Sequence, residues 1–449
     1  MVQDRPSRRP ARFARGRKPS ALRREKTDLP PHSNAHGVLP HRRFCMQSID
    51  ELELPYFPTD QADFASDPAP WFAAAREQHP WLGRCHFGYI VHDFQAMKDL
   101  MGMHDKMHIA HHRVVELMGG RGTSWGNYID ESMQAQNGPA HKRLRDIVAP
   151  AFTPRQAEKR RDMSRQVIRE LLDEWAPRET FDFEEFAAQY PITIMCRVIG
   201  ASPDVIPELR DSLEAIGLAF GMDPSILPRL NAAVDHMTVF VEALVAARRR
   251  GERESQEPDL LDDLLAVNGE DGLTDAELVN LLIFLFVAGY DTSKNLMTLM
   301  MYALLDHPDM YVKCAQDIGY CRKVIDETLR FHGPTSTMRV NIADVVYRDV
   351  LIPEDTTLFF PLNVAGRGPS AIERGEEFDP ERATPAAHLG FGRGPHICLG
   401  MFLAKVQVEE GMHEIAQRLH NPQLAGEFGW RPYAGVWGLR GLPLRFEAA

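Results

Sequence analysis

A glycine-rich segment late in the sequence, Phe391-Gly-Arg-Gly-Pro-His-Ile-Cys-Leu-Gly400, constrains the fold of this chain more than any other feature. Its glycines permit backbone angles and close approaches that a side chain would block. An apolar helical pattern follows directly, so Cys398 is expected at the mouth of a helix, where free N–H groups favour a thiolate. Such a thiolate can serve as the axial ligand of a haem iron. An ordinary glycine-rich turn around a buried cysteine is the alternative.

The composition is that of a soluble globular protein with a large core, because 44% of the 449 residues are hydrophobic and 25% are charged. The six cysteines are scattered and form no Cys-x-x-Cys pair, which indicates a reducing compartment and predicts a cytoplasmic protein. The longest apolar candidate, Leu281–Gly289, is about half as long as a membrane-spanning helix must be. The sequence therefore predicts no membrane span.

Charge is distributed unevenly along the chain. Residues 1–45 contain 12 Lys and Arg against 3 Asp and Glu, whereas the whole chain has 51 against 63 and a net charge of −12. The basic head is rich in Arg, Pro and Ser and has little apolar periodicity. We therefore predict a disordered N-terminal extension over 1–45 and one folded domain over 46–449. The acidic body argues against nucleic acid as a partner.

Periodicity predicts a mostly α-helical fold with small β-sheets, in the α+β class. Helical patterns occupy Pro70–His79, Phe94–Gly102 and most of 140–320, and a glycine-containing stretch over 108–135 is predicted to be rich in loops. The strand-like segments are short and mostly late in the chain: Gly88–His92, Val340–Val346, Val350–Pro353, Thr357–Pro361 and Leu442–Phe446.

One long helix is well delimited. Thr274-Asp-Ala-Glu277 is a capping box, in which the threonine hydroxyl and the glutamate carboxylate satisfy the first free N–H groups. The helical pattern then continues to Asp306, where His307-Pro308 ends it. The predicted rod is about 48 Å long, enough to cross a domain of this size.

Midway along this helix lies Ala288-Gly-Tyr-Asp-Thr292. A glycine inside a helix costs about 1 kcal/mol relative to alanine, so Gly289 is expected where something approaches the backbone closely. Asp291 and Thr292 place an acid beside an alcohol in an otherwise apolar helix. This pattern indicates a reactive site, with a simple helix kink and two solvated polar groups as the alternative.

These two segments resemble the cytochrome P-450 family, whose haem loop reads Phe-Gly-x-Gly-x-His-x-Cys-x-Gly and whose oxygen-binding helix reads Ala-Gly-x-Asp/Glu-Thr. The resemblance implies a single large triangular helical domain around haem b, of the soluble bacterial type. It implies that Cys398 binds the haem iron and that Asp291 and Thr292 are the catalytic proton-handling pair. The residues expected around the cofactor are Ala288, Gly289, Phe391, Gly392, His396 and Gly400.

Further positions match the family in the expected order. Four basic groups, His141, Arg145, Arg339 and His396, match positions that hold the haem propionates. Glu327-Thr-Leu-Arg330 matches the Glu-x-x-Arg helix, and Arg382 matches its third partner. The resemblance implies that Glu327, Arg330 and Arg382 form a buried ion network that supports the cysteine loop.

The implied activity is insertion of one atom of O2 into a hydrophobic small molecule, as hydroxylation or O-dealkylation of a terpenoid, fatty or aromatic compound. The sequence contains no recognisable reductase domain, so electrons are expected from an external ferredoxin and its NAD(P)H-dependent reductase. We expect a monomer. A peroxide-driven oxygenase and a non-catalytic haem sensor are the alternatives.

Two less specific patterns concern the pocket and a second metal. The substrate pocket is predicted to include Met118, Trp125, Phe220, Met338, Val436 and Trp437, because apolar and adaptable side chains cluster there. His104, His108, His111 and His112 have the spacing of zinc ligands on one helical face. Their surroundings favour a loop or pocket lining over a zinc site.

Overall fold

The computed structural model describes residues 46–253, 257–269, 272–383 and 387–448. The predicted extension over 1–45 lies outside the described residues. The remainder, residues 46–449, forms one unit. Helices dominate it, and four small sheets are attached to them, as the α+β prediction requires.

The described residues contain seventeen α-helices. They are α1 (Ala62–Ser66), α2 (Ala69–Gln78), α3 (Phe94–Gly102), α4 (His111–Leu117), α5 (Ser124–Glu131), α6 (Gly138–Val148), α7 (Pro154–Lys159), α8 (Arg161–Trp175), α9 (Phe183–Ile199), α10 (Ile206–Gly217), α11 (Leu227–Arg249), α12 (Leu260–Ala266), α13 (Asp275–Leu305), α14 (Pro308–Gln316), α15 (Ile318–Phe331), α16 (Leu362–Ala365) and α17 (Met401–Arg418).

Thirteen strands accompany them in the same residues. They are β1 (Gln47–Ser48), β2 (Leu82–Cys85), β3 (Gly88–Val91), β4 (Met107–Ile109), β5 (Thr180–Asp182), β6 (Thr337–Asn341), β7 (Val345–Tyr347), β8 (Val350–Ile352), β9 (Thr357–Phe360), β10 (Leu419–Leu424), β11 (Gly429–Trp430), β12 (Leu439–Arg440) and β13 (Pro443–Ala448).

The long central helix is confirmed as α13. The Thr274 hydroxyl accepts a hydrogen bond from the Glu277 N–H at 3.2 Å, and the Glu277 carboxylate accepts one from the Thr274 N–H at 3.0 Å. The helix ends at Leu305, just before the predicted stop. It packs against α9, α10, α11, α15 and α17, so the apolar side chains along it form part of the core.

The largest sheet has the strand order β2-β3-β9-β6-β4. Its last pairing is antiparallel and places His108 opposite Val340 and Ile109 opposite Arg339. The prediction of a loop-rich stretch over 108–135 was therefore wrong in part, because β4, α4 and α5 lie there. Thr123 caps α5 by accepting a hydrogen bond from the Gly126 N–H at 3.2 Å, a local signal that the surrounding glycines obscured.

Two helices are long and apolar enough to cross a membrane by length and composition alone, Pro224–Arg249 and Asp275–Leu305. The second is α13, which is surrounded by other helices of the same unit. Core helices commonly pass this test, so neither segment by itself argues for a membrane span.

The structure forms the ion network that the Glu-x-x-Arg motif implied. Arg330 donates two hydrogen bonds of 2.7 Å to the Glu327 carboxylate, and both side chains are fully buried. Arg330 also donates to the carbonyl oxygens of Gly366, Gly375 and Glu377. Arg382 approaches Glu327 at 3.3 Å. The network therefore ties the irregular segment that precedes the cysteine loop to α15.

Replacing Arg330 tests whether this network holds the segment in place. Arg330→Met leaves a buried carboxylate with fewer partners, so we expect the free energy of unfolding to fall by about 3–5 kcal/mol. The matched control is Arg374→Gln, which removes an exposed pair with Glu377 and should cost less than about 1 kcal/mol. Guanidinium denaturation followed by circular dichroism compares the two, and equal losses would contradict the buried network.

Candidate functional site

A cavity of about 300 Å³ lies between the cysteine loop, α6, α13 and the β4–β6 edge of the large sheet. Its volume is in the range of small-molecule and cofactor sites. All but one of the residues predicted to be catalytic or cofactor-binding line this cavity: His141, Arg145, Ala288, Gly289, Thr292, Arg339, Phe391, Gly392, His396, Cys398 and Gly400. The exception is Asp291.

The cysteine loop presents Cys398 to the cavity. Gly392 and Gly394 have φ values of +71° and +75°, a left-handed conformation that strongly favours glycine. The Cys398 N–H donates to the Phe391 carbonyl at 2.8 Å, which closes the loop just before α17 begins. Cys398 lines the cavity, and its surface is accessible from it.

The thiol of Cys398 is less acidic than its position before a helix suggested. Burial raises its pKa, and the Gly400 and Met401 N–H groups and the charge of Arg145 oppose that effect without cancelling it. The sequence pattern predicted the N–H groups that lower the pKa of this thiol, but it did not predict the larger effect of burial, which raises it. A cation such as a haem iron would have to supply the remaining stabilisation of the thiolate.

The central segment of α13 forms the opposite wall. Thr292 lines the cavity, and its hydroxyl donates to the Ala288 carbonyl at 2.8 Å. The oxygen of that hydroxyl keeps free lone pairs to accept a further hydrogen bond. A Cβ on Gly289 would lie 2.5 Å from the Sδ of Met195, so the thioether of α9 fills the space that the glycine leaves. Room beside Gly289 therefore depends on the rotamer of Met195.

Asp291 does not face the cavity in this structure. Its carboxylate accepts two hydrogen bonds from Arg431, at 2.5 and 3.0 Å, and a third from Asn295 at 3.1 Å. Asp291 is 1% exposed and Arg431 4% exposed. A side chain on Gly217 of α10 would meet the carboxylate at 2.4 Å, so that glycine lets α10 lie against the pair. The expected proton relay requires this pair to open.

A chain of polar groups leads from Asp291 toward the surface. Lys294 lies 3.8 Å from Asp291, and it contacts Glu184 at 2.5 Å and Glu214 at 4.0 Å. The side chain of Glu214 is 29% exposed and accepts a hydrogen bond from Tyr290 at 3.0 Å. These groups come from three helices distant in sequence, so no spacing rule could have identified them.

The basic groups converge on one side of the cavity. His141 and His396 stack with ring centroids 4.0 Å apart, and Arg145 donates to the Ile397 carbonyl at 2.6 Å. Arg339 donates to the Thr337 hydroxyl at 2.6 Å and to the Met338 carbonyl at 2.9 Å. Burial lowers the pKa of Arg339 to about 10.

This basic cluster has no anion of its own, because no Asp or Glu is among the described residues that line the cavity. Two desolvated arginines without a carboxylate are costly unless a ligand supplies the negative charge. A haem b, with two propionates and an iron that takes a thiolate, fits this donor set. The residues present are therefore consistent with the implied cofactor.

The six predicted pocket residues do not line the cavity. Met338 lies between Thr337 and Arg339 on β6, and successive strand residues point to opposite faces, so its neighbours face the cavity and it packs in the core. Trp437 stacks on Trp430. Met118 and Trp125 are buried in the core, Val436 forms a bridge with Thr335, and Phe220 packs on His111.

The apolar walls come from other residues, which sequence clustering did not single out. They are Ile109, Met133, Phe152, Met195, Phe284, Leu285, Leu296 and Leu329. The histidines considered for zinc are not brought together: His108 lies on β4, whereas His111 and His112 begin α4. Among the described residues, no group of three or more His, Cys, Asp or Glu could hold a metal ion.

Comparisons with known proteins agree with this geometry. Residues 209–420 match the family described as Cytochrome P450. The chain is 31% identical to the luteothin monooxygenase of Streptomyces thioluteus, over 88% of this chain and 97% of that protein. It is 32% identical to the cytochrome P450 monooxygenase PikC of Streptomyces venezuelae, over 86% and 92%. The solved structure of P450BioI with hexadec-9Z-enoic acid ligated acyl carrier protein superimposes with a TM-score of 0.78 at 25% identity, covering 86% of this chain and all of that one.

The Asp291–Arg431 pair gives a stability test. Arg431→Gln strands a buried carboxylate, so the free energy of unfolding should fall by about 3–5 kcal/mol. The double variant Asp291→Asn/Arg431→Gln removes both charges and should recover part of that loss. A double-mutant cycle by chemical denaturation measures the coupling. Additive losses would show that the two side chains do not depend on each other.

Proposed function

This chain belongs to the cytochrome P450 family and is a haem-thiolate monooxygenase, and we propose that it oxygenates a hydrophobic small molecule with electrons from an external ferredoxin. The observation that carries the proposal is the cavity itself. Cys398 borders it on one side, Thr292 borders it on another, and its basic cluster lacks an anion. Apolar side chains form much of the remaining wall.

The family binds haem b. We assign Cys398 to the iron, and His141, Arg145, Arg339 and His396 to the propionates. Bound haem supplies the reductive activation of O2. The enclosed, mostly apolar wall excludes bulk water, which strengthens each hydrogen bond made inside the cavity.

Thr292 and Asp291 divide the handling of protons in this proposal. The Thr292 hydroxyl donates a hydrogen bond to the Ala288 carbonyl, which fixes its orientation. Its oxygen can accept a hydrogen bond from a group that carries a proton, while the hydroxyl passes on its own proton. Asp291 supplies the second group once its contact with Arg431 opens, and the partly exposed Glu214 side connects the cluster to solvent. The relay is therefore gated by a buried ion pair.

The cavity walls and one solved neighbour support the proposed substrate class. Met, Phe, Leu and Ile side chains face the cavity, and no described carboxylate does. The structural neighbour was solved with a fatty acid on its carrier protein. We propose a terpenoid, fatty or aromatic substrate that undergoes hydroxylation or O-dealkylation. A panel of such ligands, scored by the spin-state shift of the purified haem protein, identifies the class.

Electrons are proposed to come from a ferredoxin and its NAD(P)H-dependent reductase in the cytoplasm. The five cysteines in the described residues are all free thiols, as a reducing compartment requires. Lys405, a basic residue on α17 close to the cysteine loop, forms an ion pair with Asp326 at 2.7 Å. Its charge is therefore already compensated, and other basic groups would have to attract an acidic ferredoxin.

One observation favours a second candidate, a peroxide-driven oxygenase. Peroxide brings its own protons and electrons, so that reaction does not need Asp291 to be free, and Arg431 holds Asp291 away from the cavity. Turnover of one substrate with ferredoxin, reductase and NAD(P)H is compared with turnover with hydrogen peroxide alone. Faster turnover with peroxide would replace the leading proposal.

The haem-thiolate assignment predicts a specific spectrum. The reduced, CO-bound protein should show a strongly red-shifted Soret band, because a thiolate donates electron density to the iron. Cys398→Ala should abolish that band. Cys314→Ala, which removes a buried thiol outside the cavity, is the control and should keep it. An unshifted band in the unmodified protein would contradict thiolate ligation.

The proposed role of Thr292 predicts that its loss leaves ligand binding unchanged but lowers the fraction of NAD(P)H oxidation that yields product. Thr292→Ala should retain the CO spectrum and ligand binding, since its side chain is not an iron ligand, but release most reducing equivalents as peroxide. The ratio of product to NAD(P)H consumed measures this effect. Thr292→Ser keeps the hydroxyl and should restore coupling. Unchanged coupling in Thr292→Ala would remove the residue from the proton path.

A further inference from the structure

His111 is a fifth nitrogen base in the cavity, and no sequence motif assigns it to the cofactor. It begins α4, two residues after Ile109, which pairs with Arg339 across β4 and β6. That pairing places its ring on the cavity wall near the basic cluster. Its Nδ1 is completely enclosed and has no hydrogen-bond partner.

The surroundings of His111 are positive and contain no counterion. Burial, and then the charges of Arg339 and His112, lower its pKa to about 3. No described carboxylate lines the cavity that the ring faces. A neutral imidazole in such a place is a hydrogen-bond donor without an acceptor. A bound group with an anionic oxygen in the cavity would supply the acceptor that the described residues lack.

We propose that His111 is a haem-positioning residue, which donates a hydrogen bond to a haem propionate and is held in place by Phe220. The inference rests on the proposed haem site and adds a donor to it. Two arginines already balance the charge of two propionates. A neutral donor therefore adds a hydrogen bond that orients a propionate and leaves the net charge of the site unchanged. His111 thereby fixes the cofactor from the β4–α4 side of the cavity.

Phe220 connects this donor to the segment between α10 and α11. The rings of His111 and Phe220 lie 4.8 Å apart between centroids, tilted by 51°. Phe220 lies in a short 3-10 helix, Ala219–Gly221, and a Cβ on Gly435 would lie 2.7 Å from its own Cβ. The backbone of Phe220 is therefore closely packed against Gly435, and its ring brings the α10–α11 connection into contact with His111.

The test uses haem-loaded protein and four variants. His111→Phe keeps ring size without a donor, His111→Gln keeps a donor, Phe220→Ala removes the supporting ring, and His112→Ala changes the exposed neighbour. Haem dissociation is measured by transfer to excess apomyoglobin. His111→Phe should lose haem about fivefold to tenfold faster, the effect of one buried hydrogen bond, whereas His111→Gln should restore most of the retention and His112→Ala should match the unmodified protein.

Two further readouts separate positioning from a general packing defect. The propionate bending mode in the resonance Raman spectrum should shift in His111→Phe and not in His112→Ala. Phe220→Ala should produce a smaller change, and the double variant His111→Phe/Phe220→Ala should lose haem no faster than His111→Phe. Retention and Raman spectra of His111→Phe equal to those of His112→Ala would overturn the proposal. A red-shifted CO band in all variants shows that the thiolate site itself is intact.

Discussion

A cluster of basic side chains without a protein counterion organises the cavity of this molecule. Two arginines and three histidines, His111, His141, Arg145, Arg339 and His396, face one cavity that no described carboxylate lines. Removing such groups from water costs free energy that the protein does not recover by itself. In the proposed assignment, haem would supply both the anions for these groups and the cation for Cys398, whose pKa burial otherwise raises. In this proposal, binding of the cofactor also neutralises the charges that line the cavity.

On the α13 side of the cavity the buried group is an acid, Asp291, and it has a protein counterion. Here Asp291, the proposed proton-handling acid, is neutralised by Arg431 and surrounded by a buried cluster of alternating charges. A buried pair of this kind is a poor source of stability, and α10 lies directly against it at Gly217, where an added Cβ would be 2.4 Å from the carboxylate. In the proposed relay, access to protons therefore depends on how α10 packs against this pair.

Sequence reasoning succeeded where the relevant contacts are local. The capping box of α13, the positive-φ glycines of the cysteine loop and the Glu327–Arg330 pair each depend on residues within about one or two turns of each other, and each occurs as predicted. It failed for the pocket walls. Aromatic and Met clusters such as Trp125 and Trp437 mark the core equally well, and only the pleat of β6 decides that Thr337 rather than Met338 faces the cavity.

The sequence alone determined the family, the fold class, the cysteine that faces the cavity and the order of the basic groups along the chain, because short motifs encode backbone geometry and charge directly. Only the tertiary structure decided which of these groups meet. Arg431, Gly217 and His111 act on the site from distant segments, and Asp291 turns from the cavity toward an arginine 140 residues later in the chain. Long-range pairing depends on how helices and sheets pack, and no local spacing contains that information.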